Sequence, residues 1–307
     1  MDFHETQGMK APVLFISHGA PTFAIEPGVL GPELAELGKR MAAIRAVLVI
    51  SPHWQTRNVT VMTTPEPETI HDFGGFSREL YRLRYPAAGQ PEIAARGALL
   101  LQRAGFEVTL DDTRGFDHGA WVPLRHLFPD ASTPVFQVSM PHDLDATGAL
   151  KLGRALAPLR ESGVLIVGSG SLTHNLYEFA AHASIAAQYA EEFAQWVREA
   201  VIRKETERLL SYRRLAPHAE RAHPTEEHFL PLLVALGAAT DADDVIAIDG
   251  GMTYGILSMD SFAWGVGTSG NTLRARVRHR TDSTDLSDDT VAAICHPLQF
   301  ISPEVQP

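Results

Sequence analysis

The chain has 307 residues, 45% of them hydrophobic, which is enough to build one large buried core. Its net charge of −11 argues against a nucleic-acid partner, because such a partner requires a basic surface. Cys295 is the only cysteine, which excludes an intrachain disulfide and a thiolate metal cluster. No leader peptide or membrane-length apolar run is evident, so we expect a cytoplasmic protein that acts on a small molecule without membrane contact.

Short apolar runs alternate with segments of helical spacing, and this alternation predicts an α/β fold. Central strands are predicted at Pro12–Ile16, Ala46–Ile50, Val59–Met62, Pro134–Val138, Val164–Val167 and Val245–Ile248. Helices are predicted at Glu33–Ile44, Glu92–Ala104, Trp121–Phe128, Asp145–Leu159, Ile185–Leu209 and Thr225–Leu236. A late hairpin is predicted between Tyr254–Leu257 and Phe262–Val266, and a surface loop at Thr281–Asp289.

Among the 14 histidines, two directly follow predicted strands, where open α/β sheets bind their ligands. The first strand leads into Ser17-His18-Gly19, and the second leads into Ser51-Pro52-His53. If these strands are neighbours, His18 and His53 can converge on one metal ion. The alternative is that each histidine only caps a turn.

Two more histidines lie in comparable positions. His174 ends the stretch Gly168-Ser169-Gly170-Ser171-Leu172-Thr173-His174, which predicts an exposed loop at the same sheet edge. This stretch also resembles a phosphate-binding turn, but it lacks the lysine and the spacing of a P-loop. His118 precedes the predicted helix at Trp121, and its simplest interpretation is a helix-start turn.

The segment from Ala222 to Phe229 supplies the last candidate. Pro224 is interpreted as the first residue of a helix, and His223 immediately precedes it. Because residues five apart do not share a helix face, His223 and His228 are not expected to be joint ligands, and His223 is preferred. Glu226 and Glu227 are interpreted as solvated acids of the first helical turn, with a place behind a metal ligand as the alternative.

Several segments together resemble the LigB-type extradiol ring-cleavage dioxygenases, in particular their DOPA 4,5-dioxygenase branch. In chain order they are LFISHGAPT, ISPHW, HDFGGF, ELYRLRYPA, FDHGAWVPL, GSGSLTHNL and AHPTEEHFLPL, and the stretch from Met259 to Trp264 also fits. The resemblance implies one catalytic domain across residues 1–307, of the class III, subunit-B type. It further implies a LigB-like fold of the phosphorylase/hydrolase-like kind, with a central mixed sheet and helices on both faces.

By this resemblance, His18, His53 and His223 match the metal ligands. His174 matches either a fourth ligand or the catalytic acid/base, and His118 matches a histidine that contacts substrate or oxygen. Members that cleave protocatechuate use two histidines and a glutamate, so the histidine at the third position is a departure. The substrate-binding candidates are Trp54, His71, Phe73, Tyr81 and Trp121.

The implied reaction opens the ring of a catechol such as DOPA with O2 at a mononuclear non-haem metal. Fe(II) is expected for catalysis because zinc has no redox states, and Zn(II) is expected only as an occupant of the same site. Three alternatives are a zinc-dependent hydrolase, a non-enzymatic protein that uses a similar metal pocket for interactions, and a metal-free core protein. Monomer and homodimer are both open.

Overall fold

A computed structural model describes residues 10–41, 43–179 and 185–267. The strands are Val13–Ser17 (β1), Ala46–Ile50 (β2), Gln55–Thr56 (β3), Val59–Met62 (β4), Val108–Asp111 (β5), Val135–Gln137 (β6), Met140–Pro141 (β7), Val164–Gly170 (β8), Val245–Ile248 (β9), Met252–Thr253 (β10), Leu257–Ser258 (β11) and Ser261–Trp264 (β12). The helices are Leu30–Lys39 (α1), Pro91–Arg103 (α2), His118–Leu127 (α3), Ala146–Leu156 (α4), Gln188–Ile202 (α5), Thr206–Leu210 (α6), Tyr212–Leu215 (α7), Ala219–Ala222 (α8) and Leu230–Ala238 (α9). None of the helices in these ranges is long and apolar enough to cross a membrane.

Six strands form the central sheet in the order β6-β2-β8-β1-β12-β9. The first four run parallel, whereas β12 is antiparallel to both β1 and β9. Every residue of β1, β2 and β8 is buried, as their apolar sequences require for parallel strands covered on both sides. The predicted mixed sheet flanked by helices is confirmed.

Two adjacent residues of β8 show that helices cover opposite faces of the sheet. Gly168 packs against the backbone of α9 at Pro231, and a Cβ built there would lie 2.1 Å from the Pro231 carbonyl oxygen. The next residue, Ser169, bonds the carbonyl of Gly119 in α3. Since successive strand residues point to opposite faces, α9 and α3 lie on different sides.

Four predicted elements differ from the structure. Val59–Met62 forms a strand, but it pairs with β5 in a separate two-stranded sheet rather than joining the central one. The predicted late hairpin is wrong, because β12 pairs with β1 and β9, while Leu257 pairs back onto β10. The long predicted helix at Ile185–Leu209 is interrupted at Lys204, whose φ of 56° is left-handed, and continues as α6.

The fourth difference bears on the site. The predicted helix Thr225–Leu236 begins only at Leu230, and the residues before it form irregular turns. The predicted loop at Thr281–Asp289 lies outside the described residues.

Candidate metal centre and active site

Three parallel strands deliver residues to one edge of the sheet. In the register of the sheet, Ser17 is the partner of Gly170 and Ile50 is the partner of Gly168. The segments that follow β1, β2 and β8 therefore emerge side by side at their carboxyl ends. This is the position that the sequence predicts for a ligand site.

His18 and His53 meet at this edge, with their Nε2 atoms 3.1 Å apart. The ring of His118, at the first position of α3, lies 3.9 Å from the ring of His53 and 5.4 Å from that of His18, measured between centroids. One ring nitrogen from each of the three histidines falls within 4.8 Å of the other two. Histidines with this spacing could hold a metal ion.

Ser169 fixes the tautomer of His18. Its single hydroxyl proton goes to the carbonyl of Gly119, which can only accept. The same oxygen lies 3.0 Å from His18 Nδ1, so it must accept a proton from that nitrogen. His18 consequently carries its proton on Nδ1 and presents an unprotonated Nε2 to the pocket.

Asp72 performs a similar role on the other side of the pocket. Its Oδ1 accepts the backbone N–H of His118 at 2.8 Å, and its Oδ2 lies 3.0 Å from His118 Nδ1 and 3.7 Å from His53 Nδ1. Burial alone would raise the pKa of Asp72, but the electrostatic attraction to His118 and the hydrogen bonds from its ring and backbone outweigh burial and hold that pKa below its usual range. Asp72 thus stays a carboxylate beside two histidines.

A buried aspartate, Asp117, joins the loops that carry these histidines. It caps α3 by accepting the N–H of Ala120, and it also accepts hydrogen bonds from Ser51 Oγ at 2.7 Å and Gln137 Nε2 at 2.8 Å. Close approach of the loops requires glycine at position 119, since a Cβ there would lie 2.3 Å from Ser51 Oγ. These hydrogen bonds and the close packing at Gly119 therefore hold in place the loops that carry the histidines.

The structure brings His228, not the expected His223, to the pair formed by His18 and His53. The ring of His228 lies 5.1 Å from that of His53 and 5.6 Å from that of His18. His228 Nδ1 lies 2.9 Å from Glu227 Oε1, which leaves Nε2 as its unprotonated nitrogen. The interpretation of Glu227 as only a solvated helix acid is therefore wrong.

His223 is fully buried in a different environment. Its Nε2 lies 2.9 Å from the carbonyl oxygen of Leu172, and its ring packs between Phe193 and Phe229. Its Nδ1 has no hydrogen-bond partner among the described residues. The described residues contain two groups spaced to hold a metal, and His223 belongs to neither of them: one is His18, His53 and His118, and the other is His174, Glu227 and His228.

A sequence signal for this arrangement exists at Pro231. Proline is tolerated in the first turn of a helix but disrupts the interior, and Pro231 occupies the first turn of α9. A helix that starts at Pro224 has Pro231 in its interior, where proline is disfavoured. Because α9 begins only at Leu230, residues 224–229 form bends and turns ahead of the helix, and His228 turns toward the pocket.

His174 completes the cluster of five histidines. Its ring stacks on that of His228 with a centroid separation of 3.5 Å and an interplanar angle of 9°. Its backbone N–H donates to Ala222, which ties the β8 loop to the segment before His228. None of the hydrogen bonds recorded between described residues uses a ring nitrogen of His174.

Lowered pKa values favour neutral imidazoles at five buried histidines: His18, His53, His174, His223 and His228. Burial is the main cause in every case: it lowers the pKa of His53 and His174 to about 3, and that of His223 to about 4. Burial and the neighbouring histidines also hold the pKa of His18 and His228 well below the ordinary value. Neutral imidazoles with free lone pairs are the form that binds a metal, so the residues present fit one.

The predicted substrate-binding residues divide into two groups. His71, Phe73, Tyr81 and Trp121 form one aromatic cluster, in which Phe73 lies 5.3 Å from Tyr81, 5.7 Å from His71 and 6.4 Å from Trp121. Phe73 also lies edge-on to His118 at 5.7 Å, which joins this cluster to the histidines. Trp54 instead packs under the guanidinium of Arg114 at 5.1 Å.

A cluster of buried histidines at the edge of a mixed α/β sheet is typical of an enzyme that binds a metal ion in a pocket. Comparisons with known proteins identify its family. The family model described as the catalytic LigB subunit of aromatic ring-opening dioxygenase matches residues 13–254. A 4,5-DOPA dioxygenase extradiol of Beta vulgaris is 41% identical over 81% of this chain and 94% of its own length. One of Escherichia coli K12 is 37% identical over 81% of this chain and 93% of its own.

A crystal structure of an E. coli K12 protein described as uncharacterized has a TM-score of 0.70 and 31% identity, covering 82% of this chain and 99% of that one. The chain belongs to the LigB family of aromatic ring-opening dioxygenases. The resemblance inferred from the sequence motifs is confirmed.

Proposed function

We propose that this protein is the ring-opening enzyme for a catechol that carries an amino-acid side chain, with 4,5-cleavage of DOPA as its reaction. The observation that carries the proposal is the convergence of His18, His53 and His228 on one pocket at the carboxyl edge of the sheet. The names of the relatives from Beta vulgaris and E. coli supply the substrate.

We assign the metal to His18, His53 and His228, each through Nε2. Ser169 and Glu227 support this assignment because they occupy the Nδ1 atoms of His18 and His228. His174, stacked on His228, is the candidate fourth ligand or acid/base. Three imidazoles with open positions suit either Fe(II) or Zn(II), and ring cleavage by O2 favours Fe(II).

When bound, a ferrous ion would bring the catechol oxygens and O2 together and lower the pKa of the catechol hydroxyls. The other tasks fall to the chain. Phe73 and its aromatic neighbours lie where they can wall the substrate ring and exclude water. His174 is suited to take a catechol proton and return it, because its ring nitrogens are not engaged by the described residues and its imidazole is neutral.

The test is oxygen uptake, recorded with the visible spectrum, after DOPA is added to protein reconstituted anaerobically with Fe(II). We expect one O2 consumed per DOPA and a new yellow chromophore with iron, and neither with a zinc-loaded control. Absence of uptake across a panel of catechols, with iron bound, would contradict the proposal and direct attention to hydrolysis or protein interaction. Turnover with zinc as the only metal would overturn the choice of Fe(II).

A further inference from the structure

Asp72 contacts two of the pocket histidines, yet it lies in neither of the sequence segments that carry them. It belongs to a segment that runs beside residues 116–118: Thr69 and Phe116 form a parallel bridge, and Ile70 N donates to the Phe116 carbonyl. Two residues farther on, Asp72 Oδ1 takes the place of a backbone carbonyl and accepts the N–H of His118. The carboxylate is thereby locked in register with α3.

The same segment is anchored a second time. The carbonyl of Ile70 accepts a hydrogen bond from Trp121 Nε1 at 3.0 Å, and the Trp121 side chain is fully buried. The carboxylate of Asp72 therefore has little freedom to turn away, although 22% of its side chain remains exposed. A fixed acceptor of this kind determines which nitrogen of its histidine partner carries the proton.

We propose that Asp72 is a positioning residue that holds an N–H of His118 on Nδ1, so that the neutral form of His118 presents an acceptor, not a donor, to the substrate. A carboxylate has no proton to give, so the nitrogen at 3.0 Å must donate. Nε2 is left with its lone pair and accepts a hydrogen bond from a substrate hydroxyl. The inference rests on the proposed function for the identity of that substrate.

Asp72 also lies behind His53. The separation of 3.7 Å between Asp72 Oδ2 and His53 Nδ1 exceeds a hydrogen bond, but a small ring rotation would close it. One carboxylate then steadies two adjacent imidazoles whose rings are 3.9 Å apart. Loss of its charge would disturb both histidines without removing either of them.

The decisive variant is Asp72→Asn, because its shape is unchanged and its Oδ1 can still accept the His118 N–H. Its amide nitrogen would donate to His118 Nδ1 and so force the proton onto Nε2. We expect long-range 1H–15N spectra of the metal-free protein to show His118 protonated on Nδ1 in the wild type and on Nε2 in Asp72→Asn. The signal is assigned by its loss in His118→Gln.

We further expect Asp72→Asn to lower kcat for DOPA roughly 10- to 100-fold at full metal loading, the size of effect typical of residues that orient the histidines of a metal site. The control, Asp112→Asn, makes the same substitution at an exposed aspartate and should leave both spectrum and kcat unchanged. If Asp72 acts mainly through His118, Asp72→Asn should lower kcat much less in the His118→Gln background, where only its effect through His53 remains.

An unchanged His118 tautomer in Asp72→Asn would overturn the inference, and so would full additivity with His118→Gln. Circular dichroism detects whether Asp72→Asn fails to fold. In that case the spectrum of the wild-type protein is sufficient as the test, because a His118 proton on Nε2 contradicts the inference. Because the spectra need neither metal nor substrate, a wild-type protein that fails to cleave DOPA contradicts the proposed function and not the role of Asp72.

Discussion

A single buried hydroxyl, that of Ser169, connects the first metal-pocket histidine to the start of α3. Replacing Ser169 with alanine removes the acceptor for His18 Nδ1 while leaving the ring in place. His18 is then free to protonate Nε2, so we expect metal affinity to fall roughly 10- to 100-fold, measured by competition with a chelator.

Ser171→Ala is the matched control from the same glycine-serine stretch. Its buried hydroxyl donates to the Thr173 carbonyl and makes no hydrogen bond to a histidine ring of the described residues, so its loss should cost only about 1 kcal/mol of folding stability. Equal losses of metal affinity in the two variants would show that Ser169 acts through general stability.

The two histidines of the segment before α9 give the sharpest test of the ligand assignment. His228→Ala should abolish stoichiometric metal binding, because the ring faces His18 and His53. His223→Ala should retain the metal and lose roughly 1–3 kcal/mol of folding stability, because it removes a buried ring and leaves the Leu172 carbonyl unpaired. Metal analysis and urea unfolding distinguish them, and the opposite pattern would restore His223 as the ligand.

His174 is tested by His174→Gln, which keeps the size of the side chain but cannot exchange a proton. If His174 is the acid/base, turnover should fall by about 10²- to 10⁴-fold with the metal retained. Anaerobic binding of DOPA and metal content are measured alongside kcat. A variant that loses its metal instead would identify His174 as a fourth ligand.

At the scale of elements, α4 and α9 pack closely through glycines. A Cβ at Gly153 would lie 2.0 Å from the Val234 carbonyl oxygen, too close for any side chain. Gly153→Ala should therefore push the helices apart and cost about 1–3 kcal/mol in urea unfolding. In α2, a Cβ at Gly97 would meet only side-chain atoms at ordinary contact distance, the nearest being Leu159 Cδ1 at 3.6 Å, so Gly97→Ala should be neutral or stabilise by up to about 1 kcal/mol. Similar effects of the two substitutions would contradict this account.

The elements also show how far the sequence could predict the site. His18 and His53 were predictable because each follows a buried strand, and hydrophobic runs identify such strands locally. The prediction does not bring His228 to the pocket because it starts the helix at Thr225 and not at Leu230, although Pro231 carries the signal for the later start. Asp72 and Ser169 could not be assigned, since their roles depend on contacts with residues 46 and 151 positions away.

Pairing was the weaker part of the fold prediction for the same reason. The apolar residues of β4 predict a strand, but nothing local states that it pairs with β5 and not with the central sheet. The partner of β12 likewise lies at the other end of the chain, in β1. Local sequence thus predicts which segments are strands, whereas tertiary packing decides their neighbours.

At the scale of the whole molecule, Arg160 and Asp243 join distant parts of the chain. The fully buried Arg160 donates to the carbonyls of Ala11 and Ala238. It also pairs with Asp243 through Nη1 and Nη2, at 2.7 and 2.9 Å. Burial opposes ionisation of Asp243, but these hydrogen bonds and those from Thr240 lower its pKa to about 2.

Asp243→Asn should cost about 3 kcal/mol at neutral pH, because it leaves the Arg160 charge buried without its partner. The unfolded aspartate has a pKa of roughly 3.9, so the contribution of this ion pair is complete above that pH and is lost as pH falls toward 2. Melting temperatures recorded from pH 7 to pH 2 should therefore converge for wild type and variant below about pH 4. A constant difference across that range would exclude Asp243 as the source.

The register of the three parallel strands has a consequence for the order of assembly. His18, Ser51 and Ser169 follow or end strands whose alignment is fixed residue by residue, and a slip of one position would turn each strand's side chains to the other face. His228 arrives only when the chain returns after α8. Nascent or partly folded chains therefore lack the donor set, so metal loading is expected to be post-translational. Binding of the ion would then indicate that the sheet has assembled in the correct register.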